Sequence, residues 1–467
     1  MTVSAKAPAT GEFDAIVYPA ASPLRGNLIA QPSKNYTTRY LLAAGLAEGT
    51  STVLNCATSA DSRALRKCLV QMGAILESTN HDAGHLDITV TGVSGTPRLM
   101  DSSEPINPDN AGAVLRFLLA VGALMPDVTF VTDHQESLGK RPNKDLLHAL
   151  EQLGCQVESN DGRLPIRLRG GNLTGTRVTI SGAKSSQFLS GLLFLAPLIG
   201  HPLEINVIDG LVSKAPVRQT LEVLKSAGIA VSPTPNLLQF TVQPGQYRSG
   251  EYRVNGDWPG SAALLAAAAV TGGEIELSEL QDDEQGEKAA GDVLARMGAT
   301  FSYKTEGGGV VLSSSAELNA VEFDGDFATD AVLALMGAAC FALGRTRFYN
   351  VSNLRIKECD RISEPLRELR KLGVQCWEGN EIGDKDPDAI IIEGNPDGYE
   401  GGVTVDGRDD HRVIMLLSIV ALRCRQPVRI LRSHQVSKSY PTYFDHLVAL
   451  GARVDLVPTH SESSMAH

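Results

Sequence analysis

The sequence has few aromatic residues and fewer basic residues than acidic ones. Aromatic side chains make up 5% of its 467 residues, and 42 Lys and Arg stand against 54 Asp and Glu, which gives a net charge of −12. This balance argues against a protein that coats nucleic acid or an anionic membrane through a broad basic surface. Any anionic ligand must therefore be bound by a local cluster of basic residues.

Paired cysteines and long apolar runs are also missing. The seven cysteines are scattered and form no C-x-x-C pair, which argues against a disulfide framework or a zinc site and fits a reducing compartment. The longest apolar stretches, residues 188–200 and 413–422, are shorter than the roughly 20 residues of a membrane-spanning helix. The N-terminal residues do not resemble a secretory signal. We expect a soluble, cytoplasmic protein with no metal site and no nucleic-acid or membrane partner.

One sequence pattern occurs six times along the chain: an amphipathic helix, a glycine and a short alternating strand. We predict that each glycine ends a helix in the left-handed conformation, which glycine adopts without a steric clash. A period of about 75 residues is too long for a solenoid repeat and suits a compact α/β unit. The six glycines recur every 70 to 81 residues, at Gly73, Gly154, Gly228, Gly298, Gly373 and Gly451.

A second type of helix, rich in Ala and Leu, precedes most of these copies. Its apolar composition predicts a buried helix. Six units of about 75 residues, each with one buried and one amphipathic helix, predict an α/β (α+β) protein of two domains with three units each. The predicted buried helices are residues 40–47, 113–125, 188–199, 262–270, 331–343 and 412–422.

Polar or basic clusters precede several of these helices. A helix N-terminus offers free backbone N–H groups and a partial positive charge, so such clusters can bind anions, although a single one is usually only a cap. The clusters are residues 32–39, 110–112, 183–187 and 407–412. The densest charge cluster, residues 353–361, follows a strand-like segment, which places it where α/β proteins commonly bind ligands.

Eight short motifs stand in a characteristic order along the chain. They are Ser33-Lys34-x4-Arg39, Asn110-Ala111-Gly112-x3-Arg116, Lys140-Arg141-Pro142, Ser185-Ser186-Gln187, Asp330 ahead of an Ala-rich helix, residues 353–361, Asp410-His411-Arg412 and Lys438-x-x-Pro441. Together they resemble the enolpyruvyl transferase family, most closely its shikimate branch. Each motif alone is a weak signal, whereas eight in order are specific.

The resemblance implies a two-domain inside-out α/β barrel built from six βαβαββ-type repeats, which agrees with the six copies found above. Domain I would comprise residues 1–31 and 254–467, and domain II residues 32–253. The cleft between the domains would close on the substrates and bring together basic residues that are far apart in the sequence. We expect the protein to be a monomer.

The resemblance also implies a reaction. The enolpyruvyl group of phosphoenolpyruvate would pass to the 5-hydroxyl of shikimate-3-phosphate, with release of phosphate, on the route to chorismate and the aromatic amino acids. Two anionic substrates require several cations but no cofactor and no metal.

The family motifs assign roles to particular positions of this chain. Asp330 would take the proton of the acceptor hydroxyl, and Glu358, with Lys34, would handle protons at the methylene carbon. The positions for phosphoenolpyruvate are Lys34, Gly112, Arg141, Gln187, Arg361, Arg412 and Lys438. The positions for the acceptor are Lys34, Asn35, Arg39, Ser185, Ser186, Gln187, Ser213, Asp330, Asn353 and Lys357.

Four departures from the family pattern keep other acceptors open, and one of them is Asp257-Trp258-Pro259-Gly260 in place of an Asp-x-Ser-Ser type helix start. Asn35, Ala113 and Pro216 stand where the shikimate branch usually has a hydroxyl residue, a threonine and an aromatic residue. The Lys-Asn pair resembles the sister family that acts on UDP-N-acetylglucosamine, but no cysteine between Cys68 and Cys155 could serve as that family's reactive thiol. A paralogue of secondary metabolism, acting on a nucleotide such as UMP, is a second alternative.

A non-catalytic relative that serves as a binding or scaffolding module is a third alternative. Such a protein would be expected to have lost the acid–base residues or the basic residues. Asp330, Glu358, Lys34 and Arg412 are all present, which favours an enzyme.

Overall fold

The structure, a computed structural model, describes residues 11–80, 85–304 and 308–459. The chain divides into two compact units. Unit I comprises Met1–Gln31, Gly256–Asp283 and Glu287–His467, and unit II comprises Pro32–Asn255 and Glu284–Gly286. The chain therefore returns to unit I at Gly256, two residues after the predicted boundary. The ends of the predicted domain I, residues 1–10 and 460–467, lie outside the described residues.

The helices alternate with strands along the whole chain. The α-helices of the described residues are α1 Lys34–Leu46, α2 Ala60–Gln71, α3 Gly112–Gly122, α4 Lys144–Gln152, α5 Ser186–Leu195, α6 Lys214–Ser226, α7 Trp258–Thr271, α8 Ala289–Met297, α9 Val332–Ala339, α10 Ser363–Lys371, α11 Gly379–Ile382, α12 His411–Ala421 and α13 Tyr443–Ala449. Short 3₁₀ helices cover Leu138–Lys140, Ala196–Ile199, Gly286–Lys288, Gly325–Phe327, Thr329–Ala331, Ser352–Ile356 and Ser433–Lys438.

The strands are short, mostly three to seven residues. They are β1 Phe13–Val17, β2 Arg25–Ile29, β3 Thr50–Ala57, β4 Ile75–Asn80, β5 His85–Thr91, β6 Val128–Phe130, β7 Gln156–Asn160, β8 Arg163–Arg169, β9 Arg177–Gly182, β10 Leu203–Leu211, β11 Val231–Pro233, β12 Gln239–Val242, β13 Glu251–Arg253, β14 Glu274–Ser278, β15 Thr300–Tyr303, β16 Gly309–Ser313, β17 Leu318–Asn319, β18 Glu322–Asp324, β19 Ala342–Leu343, β20 Arg345–Tyr349, β21 Gln375–Glu378, β22 Ile390–Glu393, β23 Thr404–Asp406, β24 Val428–Leu431 and β25 Val454–Pro458.

Five of the seven sheets of the described residues share one pattern of strand pairing, which the two-stranded parallel sheet β17-β19 does not have. In unit II the strand orders are β13-β3-β5-β4 and β9-β10-β12-β11, and in unit I they are β2-β14-β16-β15, β18-β20-β22-β21 and β23-β24-β1-β25. In each sheet the first pair is parallel and the next two pairs are antiparallel. A sixth sheet, β6-β8-β7, has the antiparallel pairs and a single parallel bridge between Ile106 and Phe130.

Each unit has a core of buried helices. In unit II, helices α1, α3 and α5 are almost entirely buried, and α3 packs against α5. In unit I, helices α7, α9 and α12 are buried in the same way and contact one another. Small side chains such as those of residues 266–269 allow buried helices to approach closely. All six buried helices that the composition predicted are therefore present.

The six repeated glycines end helices as predicted. Each has a positive φ, between 78° at Gly228 and 118° at Gly298, which a residue with a Cβ adopts only with strain. The amphipathic helices before them are α2, α4, α6, α8, α10 and α13. No helix of the described residues is long and apolar enough to cross a membrane.

The bounds of three buried helices differ most from the prediction, and one of them, α7, begins at Trp258 instead of Ala262. Helix α1 begins at Lys34, not near Tyr40, because the Ser33 side chain accepts a hydrogen bond from the backbone N–H of Tyr36 and caps the helix. The basic cluster of residues 34–39 therefore lies within the helix and not ahead of it. Helix α9 ends at Ala339, because the chain turns there into the short strand β19.

Candidate active site

Arg361 is the centre of a charged cluster in unit I. Its side chain is 2% exposed and contacts three carboxylates. Nη1 donates to Asp330 Oδ1 at 2.9 Å, Nη2 to Glu358 Oε2 at 2.8 Å and Nε to Asp410 Oδ2 at 2.7 Å. Burial lowers the pKa of Arg361, but the negative charges of Asp410, Glu358 and Asp330 outweigh it and raise this pKa well above its usual value. The guanidinium therefore holds its charge and fixes all three acids.

Two lysines add positive charge to the same acids. Lys438 Nζ lies 3.1 Å from Glu358 Oε1, and both side chains are largely buried. Lys357 Nζ lies 3.9 Å from Asp330 Oδ1. The local backbone explains these positions: Asp330 lies in a 3₁₀ turn just before α9, and Lys357 and Glu358 follow the 3₁₀ helix after strand β20. Each candidate acid or base in unit I thus contacts at least two cations.

Asp410 links this cluster to the start of helix α12. It is fully buried, and its Oδ1 accepts from the backbone N–H of Arg412 at 2.8 Å, which caps the helix. Arg412 is itself 3% exposed. The thiol of Cys359 lies 3.6 Å from Asp410 Oδ2, and burial, followed by the Asp410 charge, raises the pKa of this thiol. Cys359 therefore stays protonated and is a poor nucleophile.

A fourth carboxyl of this region, Glu287, is buried and contacts the Asp330 turn. Its Oε1 accepts from the backbone N–H of Asp330 at 3.4 Å. Burial and the charge of Asp330 raise the pKa of Glu287 to about 7, although Arg412 opposes the shift. No sequence motif marks Glu287, because a glutamate after a glycine carries no signal without its tertiary neighbours.

In unit II, Gly112 lies at the start of helix α3 beside two arginines. A Cβ on this residue would lie 2.6 Å from Arg141 Nη1 and 2.8 Å from Arg116 Nη1. Arg116 Nη1 also donates to Gln187 Oε1 at 2.8 Å. The glycine thus lets two guanidinium groups approach a helix N-terminus, an arrangement that favours an anion.

Lys34 lies at the start of α1, and its Nζ is 3.2 Å from Asp61 Oδ2. Both side chains are largely buried, at 16% and 7% exposure. Asp61 occupies the first turn of helix α2, which Ser59 caps through the backbone N–H of Ser62. Asp61, like Glu287, belongs to no sequence motif. Its pairing with Lys34 depends on how helices α1 and α2 pack.

Arg39 lies within helix α1 and points its side chain towards helix α6. Its predicted role in binding the acceptor stays a prediction, and its side chain is 2% exposed. It donates to Thr220 Oγ1 at 2.9 Å and to the carbonyls of Asn35 at 2.9 Å and Pro216 at 3.1 Å, and it lies over the Phe117 ring. These hydrogen bonds connect α1 to α6, because Thr220 and Pro216 both belong to α6.

The remaining predicted residues lie at helix starts or turns. Ser185 caps α5 by accepting from the Gln187 N–H at 3.3 Å, and Ser186 begins that helix. Ser213 precedes α6 with a φ of 51°. In unit I, Asn353 Nδ2 donates to the hydroxyl of Thr329, the residue before Asp330, at 3.3 Å. The described residues contain no group of three or more His, Cys, Asp or Glu side chains arranged to hold a metal ion.

These groups define a class of protein. An α/β chain whose buried cations hold carboxylates in place, and whose other unit gathers arginines at a helix N-terminus, is suited to bind anionic substrates and to move protons on them. The side chains of the two units therefore indicate an enzyme that works by electrostatic and acid–base catalysis.

Comparisons with known proteins name the family. The family model described as EPSP synthase (3-phosphoshikimate 1-carboxyvinyltransferase) matches residues 19–447. The 3-phosphoshikimate 1-carboxyvinyltransferase of Deinococcus radiodurans is 48% identical over 450 residues, which cover 96% of this chain and 98% of the relative. The enzyme of that name from Burkholderia pseudomallei is 37% identical over 439 residues, covering 93% and 94%. This chain belongs to the EPSP synthase family of transferases.

Two solved structures have the same fold. EPSP synthase from Acinetobacter baumannii matches with a TM-score of 0.78 and 22% identity, over 95% of this chain and 100% of that one. The enolpyruvyl transferase NikO from Streptomyces tendae matches with a TM-score of 0.72 and 16% identity, over 96% and 100%. The resemblance to enolpyruvyl transferases that the eight motifs predicted is thus confirmed, as is the enzyme class.

Proposed function

We propose that the protein transfers the enolpyruvyl group of phosphoenolpyruvate to the 5-hydroxyl of shikimate-3-phosphate and releases phosphate. The family model and the names of relatives up to 48% identical support this activity. The structural observation that carries it is the Arg361 cluster, in which one buried guanidinium fixes Asp330 and Glu358, the two acids that the reaction needs.

The reaction consists of an addition and an elimination. In the addition, a proton joins the methylene carbon of phosphoenolpyruvate, the acceptor oxygen bonds to the neighbouring carbon, and the acceptor hydroxyl loses its proton. In the elimination, the resulting ketal loses a proton from its new methyl group, and phosphate leaves from the adjacent carbon. The double bond is thereby restored, and one phosphate is released for each bond formed.

Asp330 is our candidate for the base that takes the acceptor hydroxyl proton. It lies at the start of the buried helix α9, and Arg361 holds its Oδ1 at 2.9 Å. Glu358, contacted by Arg361 and Lys438, is suited to remove the methyl proton in the elimination, since cations favour a carboxylate that accepts protons only transiently. Lys34, next to Asp61, is the candidate for the acid that protonates the methylene carbon.

The substrates are bound mainly by cations and helix starts. We assign phosphoenolpyruvate to Gly112, Arg141 and Gln187 of unit II and to Arg361, Arg412 and Lys438 of unit I, with Lys34 close to its reacting carbon. We assign the acceptor to the serines at the starts of α5 and α6, with Asn35, Asn353 and Lys357. Arg39 belongs to the same proposed acceptor site, and its hydrogen bonds to Thr220 and to the Pro216 carbonyl hold it beside the start of helix α6.

We further propose that the two units are the two domains of the family fold, each with three βαβαββ-type repeats. The shared pairing pattern of the small sheets supports this, as do the six glycine-ended helices. The cleft between the domains, in which the basic residues of both would meet, is part of this proposal, as are a monomeric state and a cytoplasmic location.

The decisive experiment measures phosphate release from phosphoenolpyruvate by the purified protein. Shikimate-3-phosphate, UMP and UDP-N-acetylglucosamine are offered in separate reactions, with phosphoenolpyruvate alone as the control. We expect release only with shikimate-3-phosphate, and a product whose mass equals that of the acceptor plus one enolpyruvyl group. Release only with a nucleotide acceptor would replace the acceptor in this proposal, and release with none would overturn the proposed activity.

A further inference from the structure

The carboxyl group of Glu287 is the strongest unassigned feature near the proposed reaction site. It is buried at 7% exposure, it belongs to no motif, and no step of the proposed reaction uses it. We propose that Glu287 is a positioning residue for the transfer: it fixes the Asp330 turn through a backbone hydrogen bond, and its negative charge, when present, weakens the attraction of Arg412 for phosphoenolpyruvate. This inference rests on the proposed function and deepens it.

Glu287 is held firmly in place by its own segment. It lies in the 3₁₀ turn Gly286–Lys288, and Lys288 Nζ closes the preceding loop with an ion pair to Asp282 Oδ1 at 2.6 Å. Two residues earlier, the fully buried Gln285 accepts a hydrogen bond from the hydroxyl of Ser33 at 3.1 Å. The segment that carries Glu287 is therefore anchored by contacts on both sides of it.

The Glu287 carboxyl contacts the turn that carries Asp330 and lies in the electrostatic field of Arg412. Its Oε1 accepts from the Asp330 backbone N–H at 3.4 Å, and the charges of Asp330 on the turn before α9 and Arg412 on α12 act on it with opposite sign. A carboxyl in this setting is easily switched between its neutral and charged forms near neutral pH. The hydrogen bond to Asp330 needs only an acceptor oxygen and is available in both forms.

The two forms should differ in how they affect substrate binding. An ionised Glu287 partly cancels the field of Arg412, so an incoming anion is attracted less strongly. A neutral Glu287 leaves that field intact. The KM for phosphoenolpyruvate should therefore be lower below pH 7 than above it. The value of kcat, which depends on the Asp330 turn, should change less with pH.

The first experiment compares the wild type with Glu287→Gln from pH 6 to pH 9. The amide retains an acceptor oxygen for the Asp330 N–H and has no charge. We expect the KM for phosphoenolpyruvate of the wild type to rise with pH relative to that of the variant, reaching a difference of about fivefold at pH 8.5, with kcat within about twofold. The ratio of the two KM values at each pH removes the effect of substrate ionisation, because both proteins bind the same phosphoenolpyruvate.

The control is Glu284→Gln, the same chemical change at an exposed position three residues earlier, which should follow the wild type at every pH. A purely structural role for Glu287 predicts a change in kcat and stability with no pH-dependent ratio of KM values. Parallel KM curves for the wild type and Glu287→Gln would overturn the inference.

A second experiment does not depend on activity. A double-mutant cycle of Glu287→Gln and Arg412→Gln, read by urea unfolding, should show favourable coupling at pH 8.5 and a smaller coupling at pH 5.5. Equal coupling at the two pH values would overturn the inference even in an active enzyme. Coupling that rises with pH in a protein that releases no phosphate would sustain the charge interaction and overturn only the proposed function.

Discussion

The two units of the molecule use basic residues in opposite ways. In unit I, Arg361, Lys438 and Lys357 contact the carboxylates Asp330 and Glu358, and the cations and acids of the cluster are close to balanced in number. In unit II, two arginines gather around a glycine at a helix N-terminus, where the nearby helix dipole adds more positive charge.

This difference separates two tasks. The cations of unit I that are paired with acids hold those acids in one geometry in addition to their proposed contact with substrate, and losing one leaves uncompensated charge in a mostly buried cluster. Cations at a glycine and a helix start are positioned to attract an anion, so moving them should affect binding more than folding. The predictions below test that division, from the largest expected effect to the smallest.

Removing the central guanidinium should destabilise unit I strongly. Arg361→Ala leaves Asp410, Glu358 and Asp330 without their shared partner, and we expect the free energy of unfolding to fall by about 3–5 kcal/mol, as measured by urea denaturation. Arg345→Ala is the matched control: this arginine is 59% exposed and pairs with Glu393 on the surface, so the expected loss is no more than about 1 kcal/mol. Equal losses in the two variants would contradict a holding role for Arg361.

Neutralising the proposed base should affect turnover and not folding. Asp330→Asn keeps an oxygen for Arg361 but loses the ability to take a proton, so we expect kcat to fall by about 10²–10⁴ with little change in the KM of either substrate. The measurement is phosphate release at saturating substrate. Asp292→Asn, on the exposed face of helix α8, should retain wild-type kcat, and a similar kcat for Asp330→Asn would exclude Asp330 as the base.

The pKa of Glu287 predicts a pH-dependent stability. A folded pKa near 7 exceeds the ordinary value of 4.5, so the folded state binds a proton more tightly than the unfolded state. Stability from this group is fully present below pH 4.5 and is lost as the pH rises through about 7. Glu287→Gln has no such loss, and its stability relative to the wild type should increase between pH 5 and pH 8 by on the order of 2 kcal/mol.

The measurement is urea unfolding of the two proteins at several pH values, with the exposed Glu284→Gln as the reference. A stability difference that stays constant from pH 5 to pH 8 would rule out a raised pKa for Glu287. This test concerns folding alone and is independent of the KM comparison proposed above.

Filling the glycine in unit II should affect binding and leave the fold intact. In Gly112→Ala the new Cβ would meet the ends of the Arg141 and Arg116 side chains, which can move aside. We expect stability within about 1 kcal/mol of the wild type and a KM for phosphoenolpyruvate raised about tenfold, because displaced guanidinium groups bind the anion less well. Gly250→Ala, where no atom lies within 4 Å, should change neither quantity. A stability loss as large as that of Arg361→Ala would mean that the two units do not differ as argued.

The sequence by itself determined the repeating elements. The period of the glycines, the apolar composition of the buried helices and the order of the motifs are local properties, and the structure has the predicted helices with a positive φ at every repeated glycine. Local signals also selected Asp330, Glu358 and Arg361, because they stand in motifs that resemble a known family.

Only the tertiary structure decided which charges meet. Arg361 contacts acids 31 and 49 residues away in the chain, Lys34 pairs with Asp61 on another helix, and Arg39 is buried against α6. Glu287 has no sequence signal at all, since its importance comes from burial beside Asp330 and Arg412. Hydrophobic periodicity is a property of one helix, whereas ion pairing and desolvation depend on neighbours that packing alone brings together.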